Sequence, residues 1–226
     1  WEEVLPIRAL ILGRSPEGRS IVANIVSSSS NYRDEIRAHV TRHLGPIRED
    51  LRETSDPSEI EILHVPPQDT RPVRTLVTCG MSDRAMNVPS GKNAPPYIEL
   101  MVTLPRTWPF DEKARHDPRW SWPLKQLRAI ASLPTTSQRW IGWGETIADN
   151  PPRPLGPSTK LCGAVIVPSL LVPQDFYELK TAARSIAFFS VLPLYKEELE
   201  LKEARGVNHL FEALLDADVK DFIDPR

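Results

Sequence analysis

The chain has 226 residues, of which 40% are hydrophobic, with 28 Lys and Arg against 30 Asp and Glu. This composition is typical of a folded globular protein and excludes wholesale disorder. The formal net charge of −2 argues against general binding to nucleic acid or to a membrane surface, which usually needs a basic field. Two cysteines cannot build a disulfide framework or a four-cysteine zinc site, so we expect a reducing, cytoplasmic environment.

Proline is the unusual component, with 23 residues, roughly twice the average share. Because proline fixes φ and removes a backbone donor, we expect short elements joined by rigid corners. The longest apolar stretch, residues 161–173, contains a proline and is too short to span a membrane. The acidic residues at positions 2 and 3 are unlike the start of a secretory signal.

The first 30 residues carry few clear patterns, although residues 7–12 could form a strand and 27–30 are typical of a linker. We therefore predict an amino-terminal extension of unknown role over residues 1–30 and a folded domain over 31–226. Asn31 is a plausible helix cap, with acidic residues in the turn that follows. Ile36, Val40 and Leu44 then recur every four residues before a Gly-Pro pair, which predicts a helix.

From about residue 60 the pattern changes to strands. Residues 59–62 alternate polar and apolar, which predicts a strand with one wet face, whereas 73–79 and 97–104 are apolar and predict inner strands. Between these two, residues 80–96 form a long irregular loop, and loops of that length are often functional. Trp122-Pro123 predicts the start of a helix with proline at its first helical position, and Pro134 predicts its end.

The remaining segments continue the interleaving of strands and helices. Residues 140–147 predict a strand or turn, 161–167 and 186–192 predict buried strands, and 197–204 and 207–215 predict two helices separated by Gly206. Because strands and helices do not alternate strictly, we expect an α/β (α+β) fold in which helices flank a mixed β-sheet.

Metal and nucleophile chemistry have weak support. His39 and His43 are four residues apart and could share a helix face as zinc ligands do, but the segment lacks the glutamate of a metalloprotease motif, so a solvated helix face is the better interpretation. Cys79 ends a predicted strand, where a nucleophile could lie, yet no base accompanies it in sequence and a buried structural cysteine is favoured. No metal or other cofactor is expected.

Five of the six tryptophans fall between residues 108 and 143, and tryptophan often dominates protein interfaces. Most of them are expected in the core. Trp143 lies between Gly142 and Gly144 on a predicted turn, so we expect it to be the most exposed. These two glycines do not make a dinucleotide-binding fingerprint, which needs a third.

An ordered series of motifs resembles the suppressor of fused domain over roughly residues 51–215. The series comprises LVTCGMS at 76–82, MNVP at 86–89, ELM at 99–101, LP at 104–105, WP at 108–109, WP at 122–123, WIGWG at 140–144, PLY at 193–195 and EEL at 197–199. Bacterial members of that family usually have His-Thr where this chain has Glu145-Thr146. The framework is therefore retained while some polar positions differ.

The resemblance implies a domain without known catalysis that binds other proteins. Animal relatives sequester a transcription factor by adding its peptide as a strand in a cleft, and bacterial relatives resemble immunity proteins that neutralise polymorphic toxins, often nucleases. In the animal version an acidic residue after the motif glycine contacts the peptide, and Glu145 stands at that position. Leu133 matches a nearby aromatic contact position in place but not in type. The resemblance thus points to Glu145, Trp143 and Leu133 as partner-binding residues.

Three hypotheses follow. The first is a non-enzymatic, cytoplasmic immunity protein whose partner is a toxin. The second is a regulator that sequesters a transcription factor or signalling protein through a linear peptide. The third, an enzyme that uses Cys79 or the histidine pair, is the least supported. Under each of these hypotheses the oligomeric state is open, and neither nucleic acid nor a membrane is expected as a partner.

Overall fold

One mixed sheet of seven strands organises the chain, seen in a computed structural model that describes residues 29–49, 51, 60–219 and 221–223. The strands are β1 (Glu61–Val65), β2 (Val73–Cys79), β3 (Ile98–Pro105), β4 (Thr146–Ala148), β5 (Gly163–Val167), β6 (Glu178–Lys180) and β7 (Ser185–Leu194). Their order is β1-β2-β3-β7-β5-β4, and β6 pairs with β7. The β3–β7 pair is parallel and the other pairs are antiparallel, so the predicted mixed sheet is confirmed.

Five helices are described: α1 (Ser29–Leu44), α2 (Glu112–His116), α3 (Pro118–Thr136), α4 (Lys196–Arg205) and α5 (Val207–Asp216). Helix α3 packs on one face of the sheet, where Leu127 and Ile130 join Leu100 and Ile166 in a buried cluster. Helices α1, α4 and α5 share the opposite face. Along β7, alternate residues make this division, since Phe189 faces α3 while Phe188 packs with the α1 cluster.

The stripe predicted for α1 is confirmed. Ile36 and Val40 are completely buried, and with Leu44 they cover the β1, β2 and β7 part of the sheet. The helix begins at Ser29, so Asn31 lies inside it rather than at the expected cap. The strand predicted over residues 7–12 lies outside the described residues.

Helix α3 begins earlier than predicted. Its first residue is Pro118, and the Asp117 carboxylate before it accepts a hydrogen bond from the Arg119 backbone N–H at 2.9 Å. Asp and Pro at these two positions are a strong start signal. The prediction that Trp122-Pro123 opens the helix was therefore wrong, and the helix also continues two residues beyond Pro134.

The wet face expected for the first strand is absent. Strand β1 lies two residues later than predicted, and its alternate side chains enter both cores: Ile62 faces the α3 side, whereas Leu63 and Val65 face α1. His64, the polar residue between them, is also buried. Of the two glutamates in the predicted alternation, Glu61 is the first residue of β1, and the four residues that follow it are all buried.

The carboxyl-terminal residues join the sheet after α5. Phe222 forms a parallel bridge with Thr103, and the Ile223 N–H donates to the Thr103 carbonyl at 2.9 Å. Beside it, the buried Asp221 carboxylate accepts from the Leu170 N–H at 3.1 Å. These contacts tie the end of α5 to the middle of the sheet.

Within the described part of the chain, no helix combines the length and apolarity needed to cross a membrane.

Candidate functional site

A tight turn places Trp143 and Glu145 immediately before β4. Gly144 has φ +78°, in the left-handed region that glycine adopts without steric penalty. The Glu145 N–H donates to the Gly142 carbonyl at 3.0 Å, and the Gly144 N–H donates to the Ile166 carbonyl of β5 at 2.8 Å. The turn is thus attached to the sheet and holds both predicted side chains on a fixed backbone.

The tryptophan before this turn connects it to the long loop. The Trp140 ring packs on Gly142, where an added Cβ would come within 2.5 Å of a ring carbon. The Lys92 ammonium lies 5.5 Å from the centroid of the Trp140 ring, within the range of a cation–π contact. Part of the long loop over residues 80–96 therefore lies beside the turn.

A groove of about 1410 Å³ opens at the β4 end of the sheet, and both Trp143 and Glu145 line it. One wall is formed by loop residues 92–95, and another by the pair of helices α4 and α5. The groove takes side chains from both layers, since Phe189 belongs to the core on the α3 side and Phe211 packs with the core under α4 and α5.

Helix α5 has two adjacent apolar stripes. Leu210 and Leu214 are buried against the sheet, whereas Val207, Phe211 and Leu215, spaced four residues apart, line the groove. We call these last three residues the outer stripe. The outer stripe was not predicted from the sequence. Its signal is that the apolar residues of α5 cover a wider arc of the helix than packing on one sheet face requires.

Two leucines expose their side chains at this groove. Leu170 and Leu215 are each 42% exposed, and they are the large hydrophobic residues that the described part of the chain leaves exposed. Both line the groove, although they lie on different elements. Exposed apolar side chains gathered in one concave surface are typical of protein interaction sites.

Strand β4 forms an edge of the sheet. Among the described strands, only β5 pairs with it. The Arg139 guanidinium donates to the Thr146 carbonyl at 2.6 Å and so covers one backbone acceptor of this short strand. An edge of this kind can accept a strand from another chain.

Leu133 is the third residue implied by the resemblance, and it packs against the same core cluster as Trp143. It is on α3, half-buried against the core on that side, and it does not line the groove. The structure therefore brings together Trp143 and Glu145 but not Leu133. Trp143 is half-buried, as are Trp120 and Trp140, while Trp108 and Trp122 are in the core.

Cys79 lies in the core as a structural residue. Its side chain is fully buried, and burial, together with nearby Glu99, raises the pKa of the thiol far above its ordinary value. A reactive cysteine needs the opposite shift, because the thiolate is the nucleophile. The thiol instead points to the Arg33 carbonyl at 3.7 Å.

His39 was predicted to lie on a solvated helix face, and this prediction was wrong. His39 is buried, its ring stacks on Phe176 and on Phe188 at centroid distances of 5.1 Å, and its Nε2 lies 3.0 Å from the Phe176 carbonyl oxygen. Burial lowers its pKa. In the described part of the chain, no three His, Cys, Asp or Glu residues gather as metal ligands would.

A buried carboxylate fixes the base of the long loop. Glu99 is fully buried, and its Oε1 accepts from the backbone N–H of Gly80 at 3.1 Å and from that of Ser82 at 3.0 Å. Hydroxyl groups of Ser82 and Thr78 also donate to it. Burial raises the pKa of Glu99, opposed by these donors. This arrangement was not predicted from the sequence.

Glu198 is half-buried at the start of α4. Its carboxylate accepts from the Tyr195 backbone N–H at 2.7 Å and so stabilises the first turn of α4. Burial raises the pKa of Glu198. The neighbouring Glu197 is exposed.

The family model of the suppressor of fused protein matches residues 56–226. The chain belongs to this family. Among solved structures, it is similar to a SUFU homologue from Neisseria gonorrhoeae, with 16% identity and a TM-score of 0.62 over 87% of this chain and 95% of the homologue. No curated protein sequence matches the chain.

Two further solved structures share the fold of this suppressor of fused domain. A chain of the Sufu–Fu complex is 14% identical, with a TM-score of 0.52 over 80% of this chain and 81% of that one. Drosophila Suppressor of Fused is 16% identical, with a TM-score of 0.50, and the match covers 80% of this chain but 45% of the Drosophila chain. At these identities, the likeness shows a common fold.

Proposed function

We propose that this suppressor of fused domain is a non-catalytic, cytoplasmic immunity protein that binds and neutralises a toxin of a polymorphic toxin system, such as a nuclease. The observation that carries the proposal is the groove, in which Trp143 and Glu145 meet exposed Leu170 and Leu215. An apolar surface with a polar rim is the usual composition of a protein interface.

The comparisons support this proposal at two levels. The Sufu–Fu complex is a protein complex built on the same fold, which favours protein binding over catalysis. The Neisseria gonorrhoeae homologue matches along nearly its whole length, which favours the immunity role of bacterial relatives over the regulatory role of animal relatives. The toxin itself is the part of the proposal that experiment must supply.

Co-expression with the product of the adjacent reading frame tests the proposal. We expect a complex that co-purifies and a relief of growth inhibition when both genes are present. Absence of a complex together with unrelieved toxicity would contradict the immunity role.

A double variant tests the groove within this function. Trp143→Ala with Glu145→Lys should weaken binding by at least about 2 kcal/mol if these residues are hot spots. Asp175→Lys, a charge reversal at an exposed residue that does not line the groove, is the control and should leave affinity unchanged. Unchanged affinity in the double variant would remove this site from the proposal but leave the family role standing.

A second function, capture of a linear peptide from a transcription factor or signalling protein, is favoured by one observation. The edge of β4 lies directly after Glu145, so an extended peptide paired with this strand would place a side chain beside Trp143. A peptide array distinguishes the two functions, because a toxin that presents a broad folded surface is not expected to bind as short peptides.

A further inference from the structure

The groove is more acidic than the chain as a whole. Two cationic side chains line it, Lys92 and Lys202, against five carboxylates from Glu145, Asp149, Glu203, Glu212 and Asp216. The complete chain is nearly balanced, with 30 acidic and 28 basic residues. The carboxylates are therefore concentrated where the exposed apolar surface lies.

Most of these carboxylates are not neutralised within the described residues. Asp149 pairs with Arg153 at 3.0 Å, but Glu145, Glu203, Glu212 and Asp216 pair with no described cation. One of the two lysines, Lys92, lies over the ring of Trp140. The field in the groove is thus negative and favours a positively charged occupant over an anionic one.

The acids of α5 follow the outer stripe. Glu212 comes directly after Phe211, and Asp216 directly after Leu215, so a carboxylate lies beside an apolar side chain on successive turns of the helix. A lysine or arginine suits such a surface, because its methylene stem packs on apolar groups while its head reaches a carboxylate. Aromatic rings at Trp143 and Phe211 offer further contacts to a cation.

We infer that the partner segment that fills this groove is cationic and amphipathic, with lysine or arginine side chains interspersed among apolar ones. The inference rests on the proposed protein-binding function and specifies the chemistry of the partner. It assigns Glu203, Glu212 and Asp216, on α4 and α5, a role in selecting that partner.

Two synthetic twelve-residue peptides test the inference without knowledge of the partner. They share the same apolar residues at alternate positions, and the remaining positions are lysine in one peptide and glutamate in the other. We expect the lysine peptide to bind, with an affinity that falls about tenfold between low and moderate salt because the ions screen the attraction. The glutamate peptide should not bind measurably.

Two triple variants locate the binding. Glu203→Gln/Glu212→Gln/Asp216→Asn should weaken binding of the lysine peptide at least about fivefold, as expected for lost charge complementarity. Asp34→Asn/Glu112→Gln/Asp175→Asn changes the same number of exposed carboxylates outside the groove and should stay within about twofold. Both triples raise the formal net charge from −2 to +1, so they differ only in where the charge is lost. Circular dichroism and thermal melting confirm that both remain folded.

Equal losses in both triples would overturn the inference, because the attraction would then be to the overall charge of the domain and not to the groove. Equal binding of the two peptides would also overturn it, because binding would then not depend on the charge of the occupant. A partner found by co-expression separates the inference from the proposed function. If the Trp143→Ala/Glu145→Lys variant weakens its binding, but neither the groove triple nor added salt does, the inference fails while the proposed function stands. If no partner is found but the lysine peptide binds in the groove, the inference holds and the immunity role does not.

Lys202→Glu should strengthen binding of the lysine peptide, and a weaker complex would count against the inference.

Discussion

Helix α1 and the pair α4 and α5 cover the same face of the sheet but differ in how they are attached. Helix α1 buries Ile36 and Val40 completely and is fixed at its start by the Arg33–Asp83 ion pair at 2.8 Å. Helix α5 buries one stripe and leaves Leu215 of its outer stripe 42% exposed. The apolar side chains of α1 are therefore covered within the domain. Part of the apolar surface of α5 stays exposed and is available to a partner.

Truncation of the α1 stripe should give the largest loss of stability. Ile36→Ala is expected to lower the free energy of unfolding by about 2–5 kcal/mol, because it removes buried methyl groups and leaves a cavity. Urea unfolding measures it, with Arg42→Ala on the exposed face of the same helix as the control. A loss no larger than that of the control would mean that α1 is not part of the cooperative core.

A smaller loss is expected at the turn that holds the groove. Gly144→Ala should cost about 1–2 kcal/mol, since a residue with a Cβ is strained at φ +78°. The new Cβ would also lie 3.2 Å from the Cγ1 of Val207 on α5. Because the turn positions Trp143 and Glu145, partner affinity should fall together with stability. Unaltered melting temperature and affinity would show that the turn tolerates the change.

The α1 end should also be sensitive to acid through His39. Burial lowers the folded-state pKa of His39 below its ordinary 6.5, so the unfolded chain binds the proton more readily. The stability contributed by neutral His39 is present above pH 6.5 and is lost as the pH falls through 6.5 toward the folded pKa. The Phe176 carbonyl opposes this lowering of the pKa, whereas the neighbouring His43 and Arg42 add to it.

Urea unfolding of wild type and His39→Gln at neutral and mildly acidic pH measures this contribution. We expect stability to decline less on acidification in His39→Gln than in the wild type. Identical pH profiles for wild type and His39→Gln would show that His39 does not titrate with unfolding.

The smallest effect on stability is expected in the outer stripe. Leu215→Ala should change the free energy of unfolding by less than about 0.5 kcal/mol, as is usual at exposed positions, yet it should weaken the partner complex measurably. Calorimetric titration with the partner and urea unfolding of the free domain separate the two effects. A loss of stability comparable to that of Ile36→Ala would mean that both ends of the face are built alike.

Local patterns predicted the elements that depend on local chemistry. The i, i+4 stripe of α1, the apolar runs of β2 and β3 and the two helices around Gly206 all form close to the predicted positions. Predictions that required knowledge of the neighbours were less accurate. His39 is a polar residue, but its burial depends on two phenylalanines from distant segments of the chain. Strand β6 has only three residues, all paired with β7, which is too short for a recognisable sequence pattern.

The candidate site was partly predictable for the same reason. Trp143 and Glu145 were identified because a glycine turn is a local feature and the family resemblance drew attention to it. The outer stripe and the acids that follow it belong to a helix more than 60 positions later, and their position opposite the turn depends on how the sheet brings β4 and α5 together. Similarly, Leu133 is near the turn in sequence and packs against the same core cluster as Trp143, but it does not line the groove.

The groove takes side chains from both layers of the domain, and this has a practical consequence. An occupant that touches both Phe189 and Phe211 would contact two core clusters that lie on opposite faces of the sheet. A ligand bound to the folded state alone raises stability by RT ln(1 + [L]/Kd). The melting temperature of the domain can therefore serve as a screen for its partner that requires no assay of toxicity or transcription.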